Sequence, residues 1–344
     1  MYVIDGVFLT RRLTGIERYA LNMVRELDKI VSPGEFVLLV PLSYEKEIEL
    51  KNIKLIRYGH FKGYLWEQTD LPSFIRKHKA VGIFLTNAVS LFSPRGIVVL
   101  HDISLKVNPE LFSGSVRNII SMLFWRFIYR VIMCSKMRII TVSEFSQSEI
   151  LRVYRIDRSR ISVIGSAWQH MDEIDPDTGI LDKLCLKKGD YYFGMATAAP
   201  NKNMKWIVNA AYQHPGITFA IGGHRSENIL NAGIPSNLIL TGYLSDGEAK
   251  ALMGNCRAFL FPTFYEGFGL PPMEALSSGA DAVIVSDTPC MHEIYGDIAS
   301  FIDPYDYDHT KLDIKSCAEQ EKNVFLSCYS WKASAEKLYK ILNC

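Results

Sequence analysis

Short apolar runs alternate along this chain with longer stretches in which apolar residues recur every three or four positions. Runs rich in Val and Ile at 2–8, 36–41, 53–58, 81–86, 97–101 and 138–142 predict buried parallel strands. Between the first two, Ile16, Tyr19, Ala20, Met23, Val24 and Leu27 fall at helical spacing within 16–30. Further helices are expected at 67–78, 115–135 and 146–154, the last opened by a capping box of Ser146 and Glu149. Strand–helix alternation of this kind predicts a parallel sheet covered on both faces.

The pattern lapses after 161–164. Residues 169–189 are polar, with Asp172, Asp175, Pro176, Asp177 and Gly179, and read as a linker. Strands are then expected at 191–195, 218–221, 238–241, 258–261, 282–286 and 300–302, with Ser245 and Glu248 capping a helix at 246–254 and a helical tail at 316–342. The expected architecture is α/β: two Rossmann-like, doubly wound domains at 1–168 and 190–325 facing across a cleft. The helix at 326–344 would pack back on the first domain. Ligands of such sheets sit beyond the carboxyl ends of the strands.

Composition narrows the function classes. The 344 residues suit two domains, and 48% hydrophobic with 22% charged residues excludes a disordered scaffold. Lys and Arg total 38 against 37 Asp and Glu, so no global field draws nucleic acid. Seven cysteines without a C-x-x-C pair argue against a disulfide framework or a zinc site and favour a reducing, cytoplasmic setting. The first residues carry Asp5 inside an apolar run and basic residues after it, the reverse of a signal peptide. The most apolar region, 111–143, is interrupted by Arg117, Arg126, Arg130, Lys136 and Arg138, so no segment reaches the ~20 residues that cross a bilayer.

The sharpest chemical signal runs from Phe264 to Leu276, where a buried strand leads into a glycine-rich loop and a proline-opened helix. Gly267 and Gly269 allow close backbone approach, and a helix N-terminus favours an anion. Glu266 and Glu274 would be ~12 Å apart if both were helical, too far for the ~5 Å carboxylate pair of a retaining glycosidase. They suit two ends of one elongated ligand, or an ordinary strand–loop–helix with a capping glutamate. Lys202, in Pro200-Asn201-Lys202-Asn203, opposes the dipole of the helix it precedes and calls for a compensating anion, or is simply solvated. His101-Asp102 ends a strand and could polarise a hydroxyl, or be a satisfied strand-end pair. The turn at Leu13-Thr14-Gly15-Ile16 lacks the full dinucleotide fingerprint. Asp-x-Asp at 175–177 and at 306–308 lies in linker-like sequence, where a metal role is not expected, and Gly222-Gly223-His224, after a strand, reads as an ordinary loop or a ligand-facing turn.

Taken in order, these segments resemble the retaining glycosyltransferases of family 4, the glycosyl transferases group 1 of bacterial polysaccharide and O-antigen type. The resemblance rests on Leu13–Tyr19, His101–Ser104, Ile140–Ser146, Pro200–Asn203, the Glu266–Glu274 block, Glu293–Gly296 and Asp303-Pro304. It implies the GT-B fold and a set of roles. Gly15 lies near the donor pyrophosphate, and His101, with Asp102 beside it, faces the donor sugar. Lys202, with Asn201 next to it, pairs with the departing phosphates. Glu266 contacts the sugar, the backbone of Gly267, Phe268, Gly269 and Leu270 cradles sugar and phosphate, and Glu274 receives the ribose hydroxyls. Backbone near Tyr243 and Leu244 reads the base. Where many members have Arg-Lys this chain has Asn201-Lys202, which leaves a charge for Arg11, Arg12 or Arg225 to supply; Asp281 stands where proline is common.

The resemblance further implies metal-independent hexosyl transfer with no cofactor beyond the nucleotide-sugar co-substrate. The acceptor hydroxyl would attack on the face the leaving phosphate departs from. GDP-mannose is the first expected donor and dTDP-rhamnose the next; the acceptor is a glycan or lipid-linked saccharide. In 111–143, which contains no acid, Val116, Ile119, Ile120, Leu123, Phe124, Phe127, Ile128 and Val131 form an apolar face flanked by basic residues. That face is either core or a peripheral contact with anionic lipid at the inner face of the cytoplasmic membrane. A phosphorylase or epimerase on the same fold, or a catalytically silent homologue acting as a binding partner, are the competing readings.

Overall fold

A computed structural model of the chain describes residues 1–343 apart from Pro94, Ser113, Ser115, Thr197, Ala198 and 224–232. His224 and Arg225 therefore lie outside the described residues. The chain divides into two compact units, Met1–Ser166 with Trp331–Cys344, and Ala167–Ser330.

Among the described residues the first unit holds seven parallel strands: β1 (Tyr2–Asp5), β2 (Phe36–Pro41), β3 (Lys54–Tyr58), β4 (Val81–Phe84), β5 (Gly96–Val99), β6 (Arg138–Thr141) and β7 (Ile161–Val163), in the order β3-β2-β1-β4-β5-β6-β7. The second holds six: β8 (Tyr191–Ala196), β9 (Thr218–Gly223), β10 (Leu238–Gly242), β11 (Ala258–Phe261), β12 (Val283–Ser286) and β13 (Ser300–Ile302), ordered β10-β9-β8-β11-β12-β13. Every pairing is parallel. Each sheet reverses its strand order once, between β1 and β4 and between β8 and β11, which is where doubly wound sheets open a crevice. The two doubly wound sheets expected from the alternating pattern are both present. The inner strands are covered on both sides, so they bury almost every side chain and read as unbroken apolar runs.

Local departures have local causes. The run expected over 2–8 stops at Asp5, whose Oδ1 accepts the Val7 N–H at 3.0 Å and turns the chain into a 3-10 turn at Val7–Thr10. The helix expected over 67–78 is two helices, Gly63–Gln68 and Asp70–Lys77. Pro72 has no N–H for the Gln68 carbonyl, so the ladder breaks there. The helix expected at 146 begins at Glu144, because Ser143 is its cap and accepts the Ser146 N–H at 3.0 Å; Glu149 pairs instead with Arg152. The capping box of Ser245 and Glu248 forms as expected, opening the helix Asp246–Asn255. Residues 169–189, expected as a linker, carry a 3-10 turn at Gln169–Glu173 and a helix at Gly179–Lys183, all within the second unit.

The tail splits into Glu319–Ser327, in the second unit, and Trp331–Leu342, in the first. There Trp331 meets Tyr19 edge-on at 5.5 Å, and the Ser334 hydroxyl donates to the Gly165 carbonyl at 2.8 Å. The long helix Val116–Cys134 divides the apolar face expected of it. Ile128 lies in the core with Tyr129, Ile132 and Met133, whereas Val116, Ile120, Leu123 and Phe127 are 54–74% exposed. Among the described residues no helix is long and apolar enough to cross a membrane.

Candidate active site

In the second unit two loops leave the sheet side by side at the point where strand order reverses. The turn Pro200–Lys202 follows β8, and residues 262–269 follow β11. Hydrogen bonds sew them together: Phe264 N–H donates to the Asn201 carbonyl at 2.9 Å, and Asn201 Nδ2 donates to the Tyr265 carbonyl at 3.0 Å. Lys202 Nζ then lies 2.7 Å from Glu266 Oε1 and 5.0 Å from the centre of the Phe261 ring. Asn201 Nδ2 reaches the same carboxylate oxygen at 3.4 Å. The two charged side chains are only 18% and 13% exposed, so their pairing is weakly screened by water. The anion that Lys202 calls for is thus, in this state, a carboxylate of the neighbouring loop.

Gly269 sits at φ +81° and caps the helix Leu270–Ser277; a side chain there would be strained and would press within 2.5 Å of Met291 Cε. The Tyr295 hydroxyl donates to the Gly269 carbonyl and accepts the Met273 N–H at 3.1 Å. This narrows the helix-terminal donors expected from the sequence. Pro271 and Pro272 have no N–H and that of Met273 is engaged, so an anion here would rely on the N–H groups of the Gly267–Leu270 backbone. Phe268 lies edge-on to Tyr329 at 5.7 Å. Glu274, one turn into the helix, is buried, and its Oε1 stands 2.9 Å from His170 Nε2. Tyr243 and Leu244 follow β10; Tyr243 is exposed, and Leu244 packs over Gly222.

The other sequence-predicted residues lie in the first unit. Gly15 opens the helix Gly15–Ile30, whose cap Thr14 shares a capping box with Glu17. His101 follows β5, buried, with Nε2 donating to the Leu85 carbonyl at 3.0 Å and its ring edge-on to Tyr19 at 4.8 Å. Burial lowers its pKa and keeps the imidazole neutral. Asp102 Oδ1 accepts the Ser104 N–H at 2.8 Å and so starts the short helix Ser104–Val107. The Asp-x-Asp segments serve turns: Asp177 accepts from Gly179 N–H, and Asp306 from Asp308 and His309 N–H. Among the described residues no group of three or more His, Cys, Asp or Glu is placed to hold a metal.

Two clusters escaped the sequence reading. One is His170, on a segment read as linker. The other joins Asp5, at the end of β1, to Glu67 and Arg11. Arg11 Nη2 lies 3.3 Å from Glu67 Oε2, so this arginine is already engaged by a side chain of the first unit. Burial first, then the Asp5 charge, pushes the Glu67 carboxyl up to about 9, and burial also raises Asp5. The pair therefore keeps a proton at neutral pH, in the side-chain hydrogen bond between Glu67 and Asp5. The folded protein keeps a proton that the unfolded chain releases above its ordinary value of 4.5, so stability falls as pH rises from there through about 9. The melting temperature is expected to decline between pH 5 and pH 9, and Glu67→Gln, whose amide still donates to Asp5, should flatten that slope. An unchanged slope in the variant would show that the pair does not titrate as argued.

Comparison with known proteins gives three kinds of likeness. Residues 183–337 match the family model described as Glycosyl transferases group 1. Over 335 aligned residues the chain is 26% identical to O-antigen chain mannosyltransferase B of Escherichia coli, covering 86% of this chain and 84% of that protein. Among solved structures, sucrose-phosphate synthase from Thermosynechococcus elongatus superposes with a TM-score of 0.70 at 11% identity, over 99% of this chain and 98% of that one. WaaG, a glycosyltransferase involved in lipopolysaccharide biosynthesis, does so with a TM-score of 0.62 at 13% identity, over 97% and 94%. At such identities the superpositions speak for the fold.

Proposed function

We propose that the chain, which has the GT-B fold, is a member of the glycosyl transferases group 1 family and a retaining mannosyltransferase that moves mannose from GDP-mannose to a glycan or lipid-linked saccharide in surface-polysaccharide synthesis. The observation that carries this reading is the placement of Lys202, Glu266 and Glu274 around one glycine-opened helix at the strand-order reversal. The similarity to an O-antigen mannosyltransferase supports mannose as the sugar.

In this reading Glu274 holds the ribose, the Gly267–Leu270 backbone cradles the diphosphate, and Lys202 offsets the charge that grows on it as the glycosidic bond breaks. Glu266 binds the sugar hydroxyls. His101, neutral, contributes hydrogen bonding rather than charge, and Asp102 orients the turn beside it. The acceptor oxygen bonds to the anomeric carbon on the face the phosphate leaves, and its proton passes to the departing phosphate oxygen. No metal enters these steps. The direct test compares thermal stabilisation by GDP, UDP, dTDP and CDP, followed by transfer from GDP-mannose with the product anomer read by NMR, with and without EDTA. Stabilisation by GDP and an α-linked product support the reading. Response to dTDP alone would move the donor to dTDP-rhamnose, and turnover requiring free phosphate or no acceptor would replace transferase by phosphorylase or epimerase. Donor binding without turnover on any acceptor would make the protein a silent binding homologue.

The outward face of Val116–Cys134 supports peripheral contact with a lipid surface as part of the same reading. Tyr64 stacks edge-on against Phe124 at 4.9 Å, which joins exposed Phe61 and Leu65 to exposed Ile120, Leu123 and Phe127. A patch of this kind buries in the headgroup layer, aided by Arg126 and Arg130. Co-sedimentation with vesicles containing anionic lipid is expected to fall at least about tenfold in Leu123→Glu/Phe127→Glu, with donor binding unchanged. Equal sedimentation of variant and wild type would remove the membrane role.

A further inference from the structure

We propose that His170 is the positioning residue of Glu274: it fixes one carboxylate oxygen so that the other meets the ribose hydroxyls, and thereby sets a preference for ribonucleotides over deoxyribonucleotides. This rests on the reading of Glu274 as the ribose contact and names what that contact selects.

A carboxylate only accepts hydrogen bonds, so the 2.9 Å contact places a proton on His170 Nε2 and makes the imidazole the donor. The His170 side chain is 5% exposed and that of Glu274 12%, so the histidine is shut away while the carboxylate keeps an opening. His170 thus acts through Glu274 and not on a ligand directly. Its mount is held from several sides within the second unit. Trp168 Nε1 donates to the Leu326 carbonyl at 2.8 Å and Gln169 Nε2 to the Tyr329 carbonyl at 2.7 Å. Lys250 Nζ donates to the carbonyls of Met171 at 2.6 Å and Ile174 at 2.9 Å, which brackets the turn.

A free glutamate samples many rotamers, and ordering it is a cost that binding must meet. Here the order is present before any ligand arrives. A carboxylate with one oxygen pinned has a defined plane, and a second oxygen in that plane can accept from a ribose hydroxyl only where one exists. A 2′-deoxy nucleotide takes away one of the hydroxyls that this weakly hydrated oxygen accepts from, and a site built to hydrogen-bond a hydroxyl discriminates against the ligand that lacks it. The same logic disfavours a dTDP-linked donor, whose sugar lacks the 2′-hydroxyl.

The test is a cycle between protein and ligand, reading dissociation constants for GDP against 2′-deoxy-GDP, and for UDP against 2′-deoxy-UDP, by calorimetry. Wild type should prefer the ribonucleotide by about 10–100-fold, the range of one charge-assisted hydrogen bond. His170→Phe, which keeps the ring and loses the donor, should compress that preference to about threefold or less by weakening the ribonucleotide alone. His170→Gln, whose Nε2 can reach the same oxygen, should restore most of it, and its melting temperature guards against a folding artefact. Equal weakening of both nucleotides in His170→Phe, or no preference in wild type, overturns the proposal and leaves the donor site standing. If Glu274→Ala binds GDP as wild type does, the ribose reading itself fails and the proposal falls with it.

Discussion

Glu274→Ala is expected to abolish stabilisation by the cognate nucleoside diphosphate while the second unit still folds. In wild type, a ligand at 100 times its dissociation constant adds about 2.7 kcal/mol. For a unit of this size that is a melting shift of roughly 5–10 °C. On the proposed reading the variant loses the ribose acceptor, and it also leaves the His170 Nε2–H buried without the carboxylate it faces at 2.9 Å. The first loss weakens donor binding by about 10²–10³-fold, since each hydrogen bond to a charged group is worth about 1.5–3 kcal/mol. The second lowers the variant's own stability by about 1–3 kcal/mol. The two effects separate in one differential-scanning experiment: a lower melting point without ligand, and no rise on adding GDP. A variant that melts lower yet shifts as far as wild type would show Glu274 to be a structural partner of His170 and nothing more.

How far the sequence carries the argument depends on the range of the interaction that decides each feature. The strands are legible because a parallel strand buried on both faces must be apolar throughout, and β2 is such a local run. Breaks with a local cause are legible too, as Pro72 shows between the helices that end at Gln68 and begin at Asp70. What stays hidden is set by distant partners. Lys202 announces a need for an anion, but that the anion is Glu266, 64 residues on, is a matter of two loops meeting at the reversal of strand order. Asp5 stands out inside an apolar run, yet nothing local names Glu67 as its partner. His170 looks like linker because its surroundings in sequence are polar; its meaning comes from Glu274, 104 residues away. The helix Val116–Cys134 is apolar almost all round, so periodicity could not say that Ile128 faces the core and Phe127 the outside.

Glu266 and Lys202 are expected to respond in opposite directions. Without ligand they form a partly buried ion pair at 2.7 Å, and the lysine's charge is spent on the loop glutamate. An arriving diphosphate carries more charge than a carboxylate and competes for the same Nζ. On the proposed reading Glu266 is then released toward the sugar, where its hydrogen bonds would be made with the transferring group. Glu266→Gln removes the competitor, so GDP should bind as tightly as to wild type or several-fold tighter. Transfer should nonetheless fall by about 10²–10³-fold, the usual loss when one preorganised polar contact to the reacting group is removed. Lys202→Ala removes the cation and leaves the Glu266 carboxylate beside the phosphates, a like-charge contact in a weakly hydrated place. GDP binding should weaken there by about 10–100-fold, from a charge-assisted contact of roughly 1.5–3 kcal/mol, and transfer should fall with it. Calorimetric affinities and single-turnover rates on the two variants decide the matter. If Glu266→Gln weakens GDP as much as Lys202→Ala does, the glutamate is part of the phosphate site's scaffold, and the exchange of partners on donor arrival does not occur.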